Sequence, residues 1–301
     1  AGDGEDAVHA EMKARFCVLA LGKLGGRELN YSSDIDLLAF YDDKAAAGAE
    51  LEDDFPQRTL ARLVDWLRGD LSRHTETGYV YRVDLRLRPH GRAGRLVPSL
   101  SALIAYYSKN AALWEIQALL KARPVAGSLV AGERFMTAAG SLLAAGHSEQ
   151  AIRDSIRTAR AMALQRKHTQ PERDLKTGIG GIRDIEFVVQ GLQLMNLPGH
   201  PELLTGNTLN ALDMLRRREL IHPDVARQSA EDYRLLRRVE HLLQILEDRQ
   251  THTLPQDESQ RAALARRVLS PGATADDLEA QLRATQTRVR GLFGRFVEGG
   301  S

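Results

Sequence analysis

The sequence predicts an α+β chain, with a small mixed sheet in its first part and an all-helical bundle after it. Three observations carry this. Short apolar runs flank a glycine turn close to the start. A stretch of strict apolar–charged alternation spans Tyr79–Pro89. From about Ala151 onward strand signals vanish and helical periodicity takes over. The expected units are residues 1–135 and residues 148–301.

The first strand is Phe16-Cys17-Val18-Leu19-Ala20-Leu21, an apolar run of the length that buries as a strand. Gly22-Lys23-Leu24-Gly25-Gly26 then turns the chain through a short helix. A second strand carries Asp34 and Asp36 and continues as Leu37-Leu38-Ala39-Phe40-Tyr41. Side chains at i and i+2 of a strand share a face, so both acids project together. Two like charges so placed stay ionised most cheaply around a cation, which suits magnesium held against a nucleotide phosphate.

In Tyr79–Pro89, Tyr81, Val83, Leu85 and Leu87 share one face while Arg82, Asp84, Arg86 and Arg88 share the other. This reads as a half-buried strand ended by Pro89. One acid among three arginines suits a strand flooring an anionic site, with Asp84 in the metal cluster and the arginines on phosphate. On the alternation alone, an edge strand with ordinary surface salt bridges is an equal reading.

Beyond Ala151, Leu235, Val239, Leu242 and Leu246 form the stripe of an amphipathic helix. Ala262–Val268 and Asp276–Val297 give further helices, with loops at Leu197–Pro201 and Ser270–Gly272. Short connections favour antiparallel neighbours. After Gly180-Gly181, Ile185, Val188, Val189, Leu192 and Met195 make a buried stripe, and Arg183, Glu186, Gln190 and Gln193 a polar one. Asp184 or Glu186 there either helps the metal site or grips a ribose from the domain junction, or is simply an acid favoured by a helix N-terminus. Arg153, Arg157 and Arg160 share a face, followed by Arg166 and Lys167. Such runs are mostly solvated, the alternative being contact with triphosphate or an acidic partner. The nine histidines show no metal-ligand spacing, and His74, His90 and His168 read as surface or packing residues.

Composition narrows the classes. Lys and Arg number 41 against 40 Asp and Glu, which gives no support for a polyanion-binding chain. Aromatic residues make up 5%, too few for a nucleic-acid groove built on stacking. The single cysteine, Cys17, excludes an internal disulfide and a thiolate zinc cluster. No apolar run approaches the roughly 20 residues that span a bilayer, and nothing resembles a signal peptide. The expectation is a cytoplasmic protein with no nucleic-acid or membrane partner.

Taken together, Leu21–Phe40, Tyr81–Pro89, Lys121-Ala122-Arg123, Gly180–Phe187 and Leu246–Pro255 resemble the bifunctional glutamine synthetase adenylyltransferase/adenylyl-removing enzyme family, within the nucleotidyltransferase superfamily of DNA polymerase β. The resemblance extends over nearly the whole chain. Lys23 stands where many superfamily members carry serine, in keeping with the narrower family. The resemblance implies a polymerase-β-like nucleotidyltransferase domain followed by the helical bundle. It implies two magnesium ions bridged by Asp34 and Asp36, with Asp84 completing one shell. Gly22, Lys23, Gly25, Gly26, Ser33, Arg86, Arg88 and Glu186 become nucleotide or phosphate contacts, the amides of Gly25 and Gly26 holding distal phosphates. Implied partners are adenylylated glutamine synthetase, the signalling protein PII, ATP or ADP, and inorganic phosphate. Family members carry a helical segment before the first strand and a second catalytic half, so a fragment or an unusually short homologue is expected.

The family's two halves act oppositely on one tyrosine of glutamine synthetase: one attaches AMP from ATP, the other removes it by phosphorolysis, releasing ADP. The acids alone do not choose between them. Gly181–Gln190 and Asp248–Pro255 look like the amino-terminal, adenylyl-removing half, which favours phosphorolysis over adenylylation. A regulatory module binding nucleotide or PII without turnover is a further reading, against which stands the presence of all three acids.

Overall fold

The computed structural model describes residues 14–44, 55–76, 78–165, 172–247 and 250–299. The chain divides into two compact units, Ala1–Leu29 with Ser33–Ala145, and Asn30–Ser32 with Gly146–Ser301.

The first unit is built on a four-stranded mixed sheet: β1 (Phe16–Ala20), β2 (Ile35–Tyr41), β3 (Val83–Asp84) and β4 (Arg123–Gly127), in the order β3-β2-β1-β4. β1 runs antiparallel to β2 and β4, and β2 runs parallel to β3. Both faces are covered, which explains why β1 and most of β2 are apolar without alternation. On one face Val18, Ala20, Leu37, Ala39 and Tyr41 pack with Leu60 and Val64 of the helix Phe55–Ser72. On the other, Phe40 meets Phe135 of the helix Leu129–Leu143, their ring centroids 5.6 Å apart. Cys17 is fully buried in β1, and burial pushes its thiol up to about 12, so it is an inert core residue.

The alternating segment forms a shorter strand than its pattern predicts. Only Val83 and Asp84 join the sheet. Immediately afterwards the Arg86 amide donates to Asp84 Oδ1 at 2.8 Å and the Arg88 amide to the Arg86 carbonyl at 2.9 Å, so the chain curls away.

The second unit contains six α-helices among its described residues: α6 (Glu149–Gln165), α7 (Ile182–Asn196), α8 (Thr208–Arg217), α9 (Pro223–Glu247), α10 (Glu258–Val268) and α11 (Ala275–Glu298). Asn207, Asp257 and Thr274 cap three of them through side-chain oxygens. The buried face of α9 is Tyr233, Leu236, Val239 and Leu243, while Leu246 is 47% exposed. Val239 is buried as predicted, while Leu236 and Leu243 take the places expected of Leu235 and Leu242. Asp232, Glu240 and Gln244 are buried on the same helix, and a stripe sought among apolar residues alone misses them.

The arginine face of α6 has a structural task. Arg153 Nε donates to the Phe296 carbonyl at 2.9 Å and Arg157 Nη2 to the Val297 carbonyl at 3.3 Å, so both arginines bind the carbonyl end of α11. Arg160 binds Asp184 through Nε at 2.7 Å and Nη2 at 2.9 Å. The triphosphate alternative for these three arginines is replaced by packing. Arg166, Lys167, His168, Asp248 and Arg249 lie outside the described residues.

Gly180 enters α7 at φ 75°, and a Cβ there would stand 2.2 Å from the Gln286 carbonyl oxygen, so this position requires glycine. The preceding loop is tied down by Asp174, which is 5% exposed. It accepts from the Lys176 and Thr177 amides at 2.8 Å each and from the Thr177 hydroxyl at 2.7 Å. Among the described residues, no helix is long and apolar enough to cross a membrane.

Candidate active site

Asp34 stands just ahead of β2 and Asp36 is its second residue. The parallel register pairs Ile35 with Val83 and Asp36 with Asp84, and the Ile35 amide donates to the Arg82 carbonyl at 2.9 Å. Directly paired residues of neighbouring strands share a face, so Asp84 stands beside Asp36 on the side to which Asp34 also points. The Arg86 guanidinium registers all three carboxylates. Its hydrogen bonds to Asp84 hold it more firmly charged than usual, and the fields of Asp36 and Asp34 add to this.

Two arginines engage the outer acids. Arg86 Nε lies 2.9 Å from each Asp84 oxygen and its Nη2 also reaches Oδ2. That fork, assisted by the Arg86 amide, holds the Asp84 carboxyl below the usual range although burial works against it. Arg82 Nε donates to Asp34 Oδ1, while its Nη1 donates to the Tyr79 hydroxyl at 2.7 Å.

Among the described residues, no three His, Cys, Asp or Glu side chains come together as a ready metal cluster. The three acids expected to share an ion stand on one face by backbone register without their side chains gathering into a cluster, and the carboxylates of Asp34 and Asp84 lie on Arg82 and Arg86. The donor chemistry fits a hard divalent cation: carboxylate oxygens at Asp34, Asp36 and Asp84 on one side of a rigid sheet. Asp34, Asp36 and Asp84 would hold such an ion, and Asp84 would have to exchange its Arg86 contact for it.

The glycine turn packs against the acids. Gly22 has φ 52°, and a Cβ at this position would stand 2.3 Å from Asp36 Oδ2, so the backbone runs directly under that carboxylate. The single helical turn Gly22–Gly25 uses its own amides: Gly25 donates to the Leu21 carbonyl at 3.0 Å and Gly26 to the Gly22 carbonyl at 3.1 Å. The expectation that these two amides hold distal phosphates is therefore corrected, because a helical turn consumes the donors that an open loop would present. Gly25 is needed for close approach instead, since a Cβ would meet the Lys121 carbonyl oxygen at 1.8 Å. Lys23 lies half-buried on this turn, and Ser33 is half-buried directly before Asp34.

Arg88 is also corrected. It donates to the carbonyls of Leu85, Gly94 and Arg92, and burial lowers the pKa of its guanidinium, so it holds its own loop together. Glu186 lies in the second unit, where its Oε1 accepts from the Tyr233 hydroxyl at 3.1 Å. Asp184, 2% exposed, accepts from Arg160 and from the Gly180 amide at 2.8 Å. These contacts fix the entry to α7, the task the helix-terminus reading gives Asp184.

The site list drawn from sequence omits Arg82, Glu28, Lys121 and Arg123. Arg82 was visible on the charged face of the alternating segment. Glu28 carried no local signal, since its partner Lys121 lies far along the chain.

Residues 3–138 match the family model for glutamate-ammonia ligase adenylyltransferase, and residues 150–297 match that for GlnD PII-uridylyltransferase. With the strand, glycine turn and acids described above, these matches place the chain in the nucleotidyltransferase superfamily. Curated relatives named bifunctional glutamine synthetase adenylyltransferase/adenylyl-removing enzyme align along most of its length. The protein from Streptomyces coelicolor is 38% identical over 90% of this chain, that from Bradyrhizobium sp. 40% over 84%, and that from Xanthobacter autotrophicus 38% over 96%. The chain belongs to this family. It spans 27%, 26% and 30% of the length of those relatives, respectively.

Proposed function

We propose that this chain performs metal-dependent nucleotidyl transfer on glutamine synthetase, removing AMP from an adenylylated tyrosine by phosphorolysis to give ADP. The observation that carries the chemistry is the register that sets Asp84 beside Asp36, with Asp34 on the same side. Asp34, Asp36 and Asp84 would hold magnesium, which supplies charge neutralisation during in-line displacement at phosphorus. An oxygen of inorganic phosphate forms the new bond to the phosphorus of AMP. The bond from that phosphorus to the tyrosine oxygen breaks, and the tyrosine oxygen takes up a proton. Phosphate is anionic near neutrality and needs no base to attack, whereas a tyrosine hydroxyl, with a pKa of about 10, does. Arg86, once released from Asp84, is the side chain placed to receive phosphate oxygens, and Arg82 orients Asp34.

The choice of direction rests on the likeness of Gly181–Gln190 and Asp248–Pro255 to the adenylyl-removing half. Adenylylation from ATP is the second reading, because the relatives' names carry both reactions. A PII partner fits the match of residues 150–297 to GlnD PII-uridylyltransferase. A buried, unpaired Cys17 suits a reducing compartment, and we place the activity in the cytoplasm.

The test is to incubate the chain with AMP-modified glutamine synthetase, magnesium and phosphate, and to measure ADP. Asp34→Asn and Asp36→Asn are expected to lower the rate by at least about 100-fold, as losing a preorganised charge partner does. AMP attachment from ATP without ADP formation reverses the direction. Near-normal turnover by Asp34→Asn overturns the site.

A further inference from the structure

The acids stand on a sheet, but the surface under Asp36 is the backbone of Gly22, and nothing in a four-residue helical turn holds that backbone still by itself. The bracing comes from a segment about a hundred residues further on, as the separations of 98 and 99 positions show. β4 begins at Arg123, which pairs with Ala20 at the end of β1, directly beside the turn. From there the Arg123 guanidinium donates through Nε to the Gly25 carbonyl at 3.1 Å and through Nη2 to the Leu24 carbonyl at 2.9 Å. Those carbonyls close the short helix; the Leu24 carbonyl also accepts from the Arg27 amide at 3.2 Å, so the guanidinium ties both the helix and its exit to β4. Two residues earlier, Lys121 Nζ donates to Glu28 Oε2 at 2.6 Å, the two side chains being 9% and 6% exposed. The Glu28 amide in turn donates to the Lys23 carbonyl at 2.8 Å. The Lys121 carbonyl fills the space that a Gly25 side chain would need.

A buried lysine–glutamate pair is poor value as pure stabilisation, because removing two charges from water offsets most of their attraction. Such a pair makes sense where a fixed geometry is required. We infer that Arg123 and the Lys121–Glu28 pair are positioning residues, which clamp the glycine turn against Asp36 and so set how tightly the acids hold their cation. The inference rests on the metal-site reading above. It adds that this clamp, rather than the glycines alone, determines the preorganisation of the site.

The experiment measures manganese binding directly, by calorimetry and by the spin-resonance signal of bound Mn2+, in the whole chain. The variants are Arg123→Ala, Lys121→Met, Asp36→Asn and the core control Val64→Ala, which lies on the far side of the sheet's apolar packing. Arg123→Ala is expected to weaken Mn2+ binding about tenfold. Phosphorolysis should fall about 100-fold in kcat, the scale on which small misplacements act. KM should change little, and methylguanidinium should restore part of the loss. Val64→Ala, matched for thermal stability, should bind Mn2+ as the wild type does. Wild-type Mn2+ binding that Arg123→Ala and Lys121→Met leave unchanged overturns the clamp while sparing the metal site. Failure of the wild type to bind Mn2+, or undiminished binding by Asp36→Asn, overturns the site reading itself.

Discussion

On the proposed metal-site reading, Arg86 competes with the cation for Asp84, and replacing it with glutamine should make metal binding tighter. Its Nε lies 2.9 Å from both Asp84 oxygens. A divalent ion on the outer side of that carboxylate, at about 2.1 Å from oxygen, would stand roughly 4–5 Å from the guanidinium charge. With a water-like dielectric, that repulsion is about 2 kcal/mol. The water-like value is the right one here, since the Arg86 side chain is 61% exposed. Freeing Asp84 from an exposed ion pair adds at most about 1 kcal/mol, and salt screening removes a similar amount. Arg86→Gln should therefore tighten Mn2+ by about 2 kcal/mol, roughly 30-fold, in calorimetric titrations without nucleotide. Arg86→Lys keeps the charge and loses the planar fork, so it should show only a small part of the gain. The same Arg86→Gln protein should bind phosphate more weakly once metal is present. Equal or weaker Mn2+ binding by Arg86→Gln would refute the idea that the arginine and the ion compete for one carboxylate.

Two further expectations concern the helical unit. Arg160→Ala strands Asp184, whose side chain is 3% exposed, without its guanidinium. Unfolding in urea should show a loss of about 3–5 kcal/mol, and a loss below about 1 kcal/mol would mean that the pair is not holding the entry to α7. At Asp174, burial opposes the charged form, but the Thr177 amide and hydroxyl, His252 and the Lys176 amide together hold the carboxyl below its ordinary value. A depressed folded pKa gives stability that is fully present above the unfolded value, about 3.9, and is lost as pH falls through the folded one. The difference in thermal midpoint between wild type and Asp174→Asn should therefore be constant near neutrality and shrink below about pH 4.

The features legible in sequence were those determined locally. Two acids at i and i+2 next to an apolar strand share a face whatever packs elsewhere, and Asp34 just ahead of β2 and Asp36 within it follow that rule. The helix after Gly181 was readable from its spacing, and it runs Ile182–Asn196. What sequence alone misread depended on partners far along the chain. The buried face of α9 includes Glu240 and Gln244, whose hydrogen bonds to Asn30 and Ser32 within the second unit no periodicity reveals. The arginines of α6 looked like a ligand surface because the carbonyls they bind belong to α11, far along the chain. β4 went unread because Arg123–Gly127 is short, contains Pro124 and ends in glycine, all poor strand signals. The glycine turn suggested open amides because the residues do not show that its short helix takes up the Gly25 and Gly26 donors.

The third acid sits on a strand of two residues, which is too short to choose its own alignment. Its placement is set from outside the sheet. At the end of the helix Phe55–Ser72, the Leu71 carbonyl accepts from the Tyr81 amide at 2.9 Å, and the Ser72 hydroxyl donates to the Tyr81 carbonyl at 3.1 Å. Slipping a strand by one residue turns every side chain over. The helix terminus therefore acts as a stop that decides which side of the sheet Asp84 faces. Insertions in the intervening loop are tolerable only where they leave that stop and its two-residue reach to Val83 untouched.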